Sequence, residues 1–286
     1  MVGERATTAQ KRKKGDFLSY FYEKDPREAQ IASETLERYS GSSVDKFCSL
    51  LLLTNFHRYI TSFAETYQVP LMQGSMFSCA HCPELDISII DFKLGAAAAA
   101  LTADLCSFVP GIKAALMLGM CGGLRPHYNL GDYLLPIAGI RAEGASDFYF
   151  PPEVPALANF LIQKAVTNVL EEKNISYHIG ITYTSNIRFW EFNEPFKLKL
   201  KEMRAQAYEM ECATLFAASY RRRFPLGALL LISDLPLTRE GIKTKESSKK
   251  IFDTYTHQHI DLGVRSLQVV REMLDMKMKG ASRGNR

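Results

Sequence analysis

Two acidic residues stand where apolar segments of the chain come to an end. Glu211 follows Tyr208-Glu209-Met210, and Asp234 follows Leu231-Ile232-Ser233. Parallel α/β enzymes carry their chemistry at such strand ends. When an N-glycosidic bond breaks, one acid protonates the departing base while another carboxylate holds the hydroxyls of a sugar that gains positive charge. This pair of side chains therefore favours an enzyme that cleaves nucleosides.

Each of the two acids also has a structural interpretation. Asp234 precedes Leu235-Pro236 and is compatible with a turn or cap residue. Glu211 opens a predicted helix, where the helix dipole alone favours an acid. In the chemical interpretation, Asp234 donates a proton to the base, Glu211 accepts hydrogen bonds from the 2′- and 3′-hydroxyls, and Met210 packs under the ribose.

A glycine-rich segment and two arginines are further candidates for substrate binding. Gly119, Cys121 and Gly122 follow a buried apolar run, so their amide N–H groups could converge on a phosphate or ribose, or simply form a turn. Arg58 and Arg188 follow predicted strands, and a guanidinium can fork onto a phosphate. Phe189 beside Arg188 could stack on a base. Solvated arginines and ordinary aromatic packing are the alternatives.

The elements that must position these residues alternate between strands and helices. Apolar runs such as Ala114–Leu118 and Ala228–Ile232 have no polar side, which is typical of strands covered on both faces. We therefore predict an α/β fold with a central, mostly parallel sheet flanked by helices on both faces. The predicted strands are 48–54, 85–92, 113–119, 133–140, 177–184 and 226–232, and the predicted helices are 26–39 (ended by Gly41), 56–67, 96–108, 155–173, 195–203, 211–222 and 245–276.

The domain organisation predicted from these patterns is simple. Residues 1–25 form a flexible arm, 26–276 a single α/β catalytic domain, and 277–286 a basic tail. Residues 139–155, rich in glycine, proline and aromatics, are the longest predicted irregular loop, and such loops are often functional. Proline at 155 suits the first position of the following helix.

Charge and composition restrict the possible partners. The chain has 286 residues, 47% of them hydrophobic, and a net charge of +4. The first fourteen residues and the last ten each carry +4, so the body between them carries −4. Nucleic-acid binding needs a dense cationic surface, and short basic tails are typically solvated. We therefore expect no nucleic-acid partner. The chain also lacks a long apolar stretch and a secretory signal, which predicts a cytoplasmic protein without a membrane span.

The cysteines do not suggest a disulfide framework. All six lie among apolar residues, as expected for reduced, buried thiols. The one close cluster is Cys79-Ala80-His81-Cys82, and no second Cys/His pair completes a four-ligand zinc site, apart from the distant His257 and His259. We therefore expect no metal at this cluster.

Several segments together resemble the nucleoside phosphorylase and nucleosidase superfamily, with the closest likeness in its AMP nucleosidase branch. The resemblance runs from about residue 48 to 267. The stretch from Phe150 to Ala156, which reads Phe-Pro-Pro-Glu-Val-Pro-Ala, separates that branch from ordinary purine or uridine phosphorylases. The other segments that carry it are Cys121-Gly122-Gly123-Leu124, Gly131 to Ile137, Gly227–Asp234 and Glu240-Gly241-Ile242-Lys243-Thr244.

The resemblance implies hydrolysis of AMP to adenine and ribose 5-phosphate by water, without a cofactor. It also implies a sheet partly rolled into a barrel and a homo-oligomer, often a hexamer. By matching segments, Asp234 resembles the acid that protonates adenine, and Glu211 with Met210 resembles the ribose clamp. Arg58, the Gly119–Gly123 segment and Arg188 look like phosphate contacts. The residue that activates the water is not assigned, nor is any role for residues 1–47.

The chain departs from the family pattern at polar positions. Met120 stands where lysine is usual, Gly95-Ala96-Ala97 replaces a Gly-Ser-Pro-like turn, Ile187 replaces an arginine, and Leu235 a glutamine. Each lost charge-assisted hydrogen bond to phosphate costs about 1.5–3 kcal/mol. Three alternatives therefore stay open: an unphosphorylated nucleoside as substrate, a phosphorolytic enzyme that uses inorganic phosphate, and a purine-binding protein that has lost catalysis.

Overall fold

The computed structural model describes residues 26–238 and 241–283, so the predicted arm at 1–25 and the last three residues of the predicted tail lie outside it. Within these ranges the chain forms helices and strands in alternation. The helices are α1 (Pro26–Ser40), α2 (His57–Tyr67), α3 (Ala96–Phe108), α4 (Phe160–Glu172), α5 (Glu194–Glu202), α6 (Cys212–Arg222) and α7 (Lys245–Arg283). The strands are β1 (Leu50–Thr54), β2 (Leu71–Gln73), β3 (Ser78–Cys82), β4 (Ile87–Asp91), β5 (Ala114–Gly123), β6 (Tyr133–Ala142), β7 (Ala156–Leu157), β8 (Tyr177–Ser185), β9 (Ala207–Glu209) and β10 (Leu226–Asp234).

These strands form one mixed sheet that is partly closed on itself. The order β10-β6-β8-β9-β5 returns to β10, because β5 also pairs with β10, and this closes a five-stranded ring. From β5 the sheet continues through β1 and β4 to β3 and β2. The long ladders β5–β10, β6–β8 and β1–β4 are parallel, whereas β9–β5 and β6–β10 are short antiparallel contacts. The predicted mostly parallel mixed sheet with barrel character is confirmed.

The sheet is buried on both faces, which explains the apolar runs in the sequence. Along β1, Leu51 and Leu53 face one core, which α1, α3 and α6 cover, and Leu50 and Leu52 face the other, which α2, α4 and α7 cover. All four are fully buried or 1% exposed. Because side chains alternate along a strand, a strand with helices on both faces has no polar side. The predicted helices on both faces are confirmed.

Several element boundaries differ from the sequence prediction. Pro155 does not begin a helix: the next two residues form β7, which pairs with β6, and α4 begins only at Phe160. The signal for that start is Asn159, whose side chain accepts from the N–H of Leu161 at 3.0 Å. The predicted end of α1 is confirmed, since Gly41 takes φ +68. The glycine segment 119–123 is not a turn but the end of β5, and all ten residues of β5 are buried.

The predicted irregular loop of 139–155 is shorter and more ordered than expected. Its first four residues belong to β6, and Ala145–Phe148 form a turn of 3-10 helix. Arg141 holds the remainder, because its guanidinium donates to the carbonyl oxygens of Phe150, Pro151 and Val154 and to Ser146 Oγ. The Phe-Pro-Pro-Glu-Val-Pro stretch therefore wraps around one largely buried arginine.

The Cys-Ala-His-Cys cluster lies on β3, a strand that the sequence prediction missed. The two ring nitrogens of His81 contact Ser42 Oγ at 2.9 Å and Ser88 Oγ at 2.8 Å. Burial lowers the pKa of His81 to about 4, so the ring is neutral at physiological pH. In the described part of the chain, no group of three or more His, Cys, Asp or Glu side chains is arranged to hold a metal ion. Nor does any helix there have the length and apolarity needed to cross a bilayer.

Candidate active site

A cleft opens where β5, β9 and β10 end beside one another. Gly122 of β5 pairs with Asp234 of β10 on one side and with Tyr208 of β9 on the other. The cleft has a volume of about 250 Å³. Its lining combines aromatic and apolar side chains with four acids and two cations: Asn55, Phe56, Leu94, Met120, Cys121, Gly122, Arg188, Trp190, Glu191, Tyr208, Glu209, Met210, Glu211, Ser233, Asp234, Lys243, Ser248 and Phe252.

Glu211 is buried at the N-terminal end of α6, with its carboxylate turned into the cleft. Its Oε1 accepts from the N–H of Gly95 at 2.8 Å, and its Oε2 accepts from the N–H of Met210 at 3.3 Å. Burial, together with the neighbouring Glu209, raises the pKa of Glu211 to about 8. This carboxyl is therefore mostly protonated at neutral pH and becomes an anion in mildly alkaline solution.

Glu209 holds the start of α6 and thereby positions Glu211. Its Oε2 accepts from the N–H groups of Glu211 at 2.7 Å and Cys212 at 2.6 Å, and its Oε1 accepts from Thr184 Oγ1. The same threonine oxygen accepts from the N–H of Ala213 at 3.0 Å. Two N–H groups at the helix start that lack partners within the helix are satisfied in this way. Burial also raises the pKa of Glu209, against the lowering effect of its hydrogen bonds.

Asp234 lies across the cleft at the end of β10, where a bulge changes the register. Ile232 pairs with Cys121 and Asp234 pairs with the next residue, Gly122, so Ser233 is the extra residue. A bulge of this kind turns side chains away from the regular alternation. Ser233 Oγ donates to Asp234 Oδ1 at 2.6 Å and accepts from Lys243 Nζ at 3.0 Å. Asp234 and Glu211 both line this cleft.

Aromatic side chains and an ion pair form another wall. Arg188 Nη1 donates to Glu191 Oε1 at 2.7 Å, and Glu191 is 4% exposed. The rings of Trp190 and Tyr208 pack with their centroids 4.6 Å apart, and the Tyr208 hydroxyl donates to the carbonyl of Ile187. Flat apolar surfaces beside charged groups suit a heteroaromatic ring attached to a polar sugar.

The structure brings six of the nine predicted site residues to this cleft. Asp234, Glu211, Met210, Arg188, Cys121 and Gly122 line it.

The other three predicted site residues lie elsewhere in the structure. Arg58 is half-exposed on α2 and pairs with Asp253 of α7. Phe189 is 80% exposed and packs against Phe192, and Gly119 lies inside β5 against Met117 and Leu230. The binding roles assigned to all nine stay predictions.

The sequence reasoning assigned no role to several cleft residues. Asn55, Glu209 and Lys243 are the most informative of these. Glu209 had a signal, because residues two apart in an extended segment share a face, and Glu209 therefore sits beside Glu211. Lys243 lies in the segment from Glu240 to Thr244 that carries part of the family resemblance, but only folding brings it to Ser233.

The positions that depart from the family pattern are spread around the cleft. Met120 lines it, and the N–H of Gly95 is occupied by Glu211. Ala96 is buried at the start of α3, Ile187 is half-exposed, and Leu235 packs partly against the core. Arg188 and Lys243 are the cations among the described lining residues, and Arg188 is already paired with Glu191.

Comparison with known proteins places this architecture in a family. The family model described as the phosphorylase superfamily matches residues 54–267, which is most of the chain. The chain belongs to the phosphorylase superfamily. The resemblance to this superfamily that was stated from the sequence is confirmed by this match.

Individual members of the superfamily show different degrees of similarity. AMP nucleosidase of Escherichia coli (strain K12) is 28% identical over 298 residues, a match that covers 89% of this chain and 61% of the relative. This chain thus spans about three-fifths of that curated relative. Uridine phosphorylase of Salmonella typhimurium is 34% identical, but over only 49% of this chain and 60% of its own length.

Solved structures from the superfamily support the same fold. The crystal structure of AMP nucleosidase from Bacteroides thetaiotaomicron is 36% identical, with a TM-score of 0.77, and the match covers 87% of this chain and 99% of that one. Uridine phosphorylase from Vibrio fischeri ES114 has a TM-score of 0.71 at 15% identity, over 83% of this chain and 98% of its own, and it supports the fold alone.

Proposed function

We propose that this protein hydrolyses the N-glycosidic bond of AMP, giving adenine and ribose 5-phosphate. The observation that carries the proposal is that Asp234 and Glu211 line one cleft, and that the strands leading to them pair with Gly122 from opposite sides. The similarity to the Bacteroides AMP nucleosidase, which covers nearly all of that chain, supports the choice of substrate.

In the proposed reaction, the bond from the ribose anomeric carbon to the base nitrogen breaks as water adds to that carbon. The carboxyl of Asp234 gives a proton to a nitrogen of the departing adenine, which takes the bonding electron pair. Ionised Glu211 accepts hydrogen bonds from the ribose hydroxyls and stabilises the positive charge on the sugar. The proton that water loses passes to solvent, from which Asp234 regains the proton that it gave, and the water oxygen becomes the new hydroxyl of ribose 5-phosphate. Met210 packs beside the ribose and Arg188 faces the phosphate.

One assay of the purified protein separates the possible activities. AMP and adenosine are incubated with and without inorganic phosphate, and the base and sugar released are identified. Adenine with ribose 5-phosphate, formed without added phosphate, supports the proposal. Ribose 1-phosphate formed only with added phosphate would instead indicate the phosphorolytic activity suggested by the uridine phosphorylase relatives. Binding of AMP without any release of base would indicate a purine-binding protein.

A substitution at Asp234 tests the assigned proton donor. Asp234→Asn should abolish most turnover and leave the fold intact, because the amide has the same shape but cannot supply the proton; the expected loss is about 10²- to 10⁴-fold. Asp275→Asn, a change at an exposed aspartate of α7, is the matched control. Wild-type rates in Asp234→Asn would remove this residue from the mechanism.

A homo-oligomer, with a hexamer as the expected size, is part of the proposal. Exposed apolar side chains lie together on the outer surface of the ring, where β8 and β7 flank β6: Ile137, Leu157, Ile179 and Ile181 are each between 41% and 53% exposed. Contiguous apolar surface of this kind often marks a protein interface. Sedimentation equilibrium of the full chain tests it, and a monomer at all concentrations would contradict it. A cytoplasmic location stays a prediction from the sequence.

A further inference from the structure

Lys243 is a partly buried cation of the cleft, and among the described residues its ammonium group pairs directly with no acid. Its Nζ lies 3.0 Å from Ser233 Oγ, and Ser233 in turn lies 2.6 Å from Asp234 Oδ1. Burial lowers the pKa of Lys243, and the nearby charge of Asp234 opposes that change. The hydrogen bonds therefore connect the lysine to the proposed proton donor through one hydroxyl.

The chemistry of these groups fixes the direction of each hydrogen bond. An ammonium group only donates, so Ser233 Oγ must accept from Lys243. The single hydroxyl proton of Ser233 then remains for Asp234 Oδ1. A second acceptor is available to that proton, the carbonyl of Cys121 at 3.4 Å. Asp234 Oδ1 is the nearer of the two acceptors. The hydrogen bond from Lys243 makes the hydroxyl of Ser233 a stronger donor to it, because consecutive hydrogen bonds polarise one another.

The arrangement leaves the other oxygen of Asp234 for the substrate. A Cβ atom built on Gly122 would lie 3.2 Å from Asp234 Oδ2, so this oxygen lies over the glycine in the floor of the cleft. With Oδ1 held by Ser233, the proton for the departing base is carried on Oδ2. The nearby positive charge also stabilises the carboxylate that remains after the proton has left.

We propose that Lys243 is a positioning residue, which acts through Ser233 to orient Asp234 for proton transfer to the leaving base. This inference rests on the proposed cleavage of a nucleoside bond, and it adds a residue to which neither the sequence nor the family match assigns a role. A backbone contact lies close to the lysine in the chain: the N–H of Leu235 donates to the carbonyl of Gly241 at 2.9 Å, which ties Gly241 to the end of β10.

The test compares Lys243→Met, Lys243→Arg and Ser233→Ala on AMP, with Lys249→Met at an exposed lysine of α7 as control. Loss of a charge-assisted hydrogen bond should lower kcat of Lys243→Met by about ten- to a hundredfold, with KM changed less than about threefold. Lys243→Arg should recover part of the rate. The double variant Ser233→Ala/Lys243→Met should be no slower than the slower single variant, because both changes break the same chain.

The outcomes separate this inference from the function on which it rests. If wild-type protein releases base and Lys243→Met keeps the wild-type kcat, or loses affinity instead of kcat, the positioning role is overturned and the proposed function stands. Full additivity in the double variant also overturns it. If Lys243→Met does not fold, Ser233→Ala carries the test, since an unchanged kcat there breaks the proposed connection. If wild-type protein releases no base, the proposed function fails and takes this inference with it.

Discussion

Ionisation of Glu211 should lower the free energy of unfolding of the protein by a measurable amount. The pKa of this buried carboxyl is raised from 4.5 to about 8. Between these two pH values the folded protein holds a proton that the unfolded chain has released. The difference in bound protons between unfolded and folded states is then negative, so the free energy of unfolding falls as pH rises. The stabilisation is fully present below the unfolded pKa and is lost as pH rises through about 8.

The size of the effect follows from the size of the shift. Each unit of pKa difference corresponds to about 1.4 kcal/mol, so the shift as a whole corresponds to on the order of 5 kcal/mol. About 3 kcal/mol of this should be lost between about pH 6 and about pH 9. Glu211→Gln removes the titrating group and keeps a similar shape. The variant should therefore lose less stability than wild type over that pH range, by about 3 kcal/mol.

Urea denaturation at several pH values measures this difference directly. For each protein, the free energy of unfolding at one pH is compared with its value at another, and the two changes are then compared between wild type and variant. Glu202→Gln, a change at an exposed residue of α5, is the control and should follow the wild-type curve. The same titration should appear in catalysis: if the sugar is held by the anion, kcat/KM should rise with pH and level off above about 8. Parallel stability curves for wild type and Glu211→Gln would refute the argument.

Two further predictions concern the frame around the cleft. Arg141→Met should lower the free energy of unfolding by about 2 kcal/mol in chemical denaturation, because the carbonyls of Phe150, Pro151 and Val154 lose their charged donor. Arg265→Met, which breaks surface ion pairs 3.6 Å long, should cost about 0.5 kcal/mol or less, and equal losses would contradict the assignment. Gly122→Ala should reduce kcat about tenfold or more, since its Cβ would lie 2.9 Å from Pro236 and 3.2 Å from Asp234 Oδ2. The control Gly111→Ala, at a position with open space, should have wild-type kinetics, and a normal rate in Gly122→Ala would show that Asp234 tolerates the crowding.

The sequence predicted the elements that bury one continuous apolar face or run. Helix α3 was predicted with its observed ends, and β1, β5 and β10 were found from their apolar segments. These apolar patterns reflect the burial of strands and helices against one another, and such burial can be predicted from the local sequence. The short strands β2 and β9 were missed because their three residues carry too little pattern. The place of β9 in the sheet also depends on β5 and β8, which are distant in the sequence.

Only part of the candidate site could be predicted, and that part also followed from apolar runs in the sequence. Glu211 and Asp234 both follow apolar runs, so their positions at the ends of sheet elements could be predicted. No local pattern, however, shows that β10 carries a bulge at Ser233 or that Lys243 returns to that serine. Arg58 shows another limit: its place after a strand suggested a phosphate contact, and in the structure its side chain pairs with Asp253 of α7, a partner that no local pattern indicates. Its binding role stays a prediction.

Closure of the sheet explains how residues so far apart in the chain come to share one cleft. In an open sheet, adjacent strands are rotated relative to one another, and this twist accumulates from strand to strand. Here β5 is bonded to both β9 and β10 within a closed ring, so the strand leading to Glu211 and the strand ending at Asp234 are held against the same residue, Gly122. Because Gly122 has no side chain, the space that a Cβ atom would occupy, 3.2 Å from Asp234 Oδ2 and 2.9 Å from Pro236, stays free. The ring thus sets the separation of the strands that lead to the two acids, and the absent side chain leaves room beside Asp234 for the substrate of the proposed reaction.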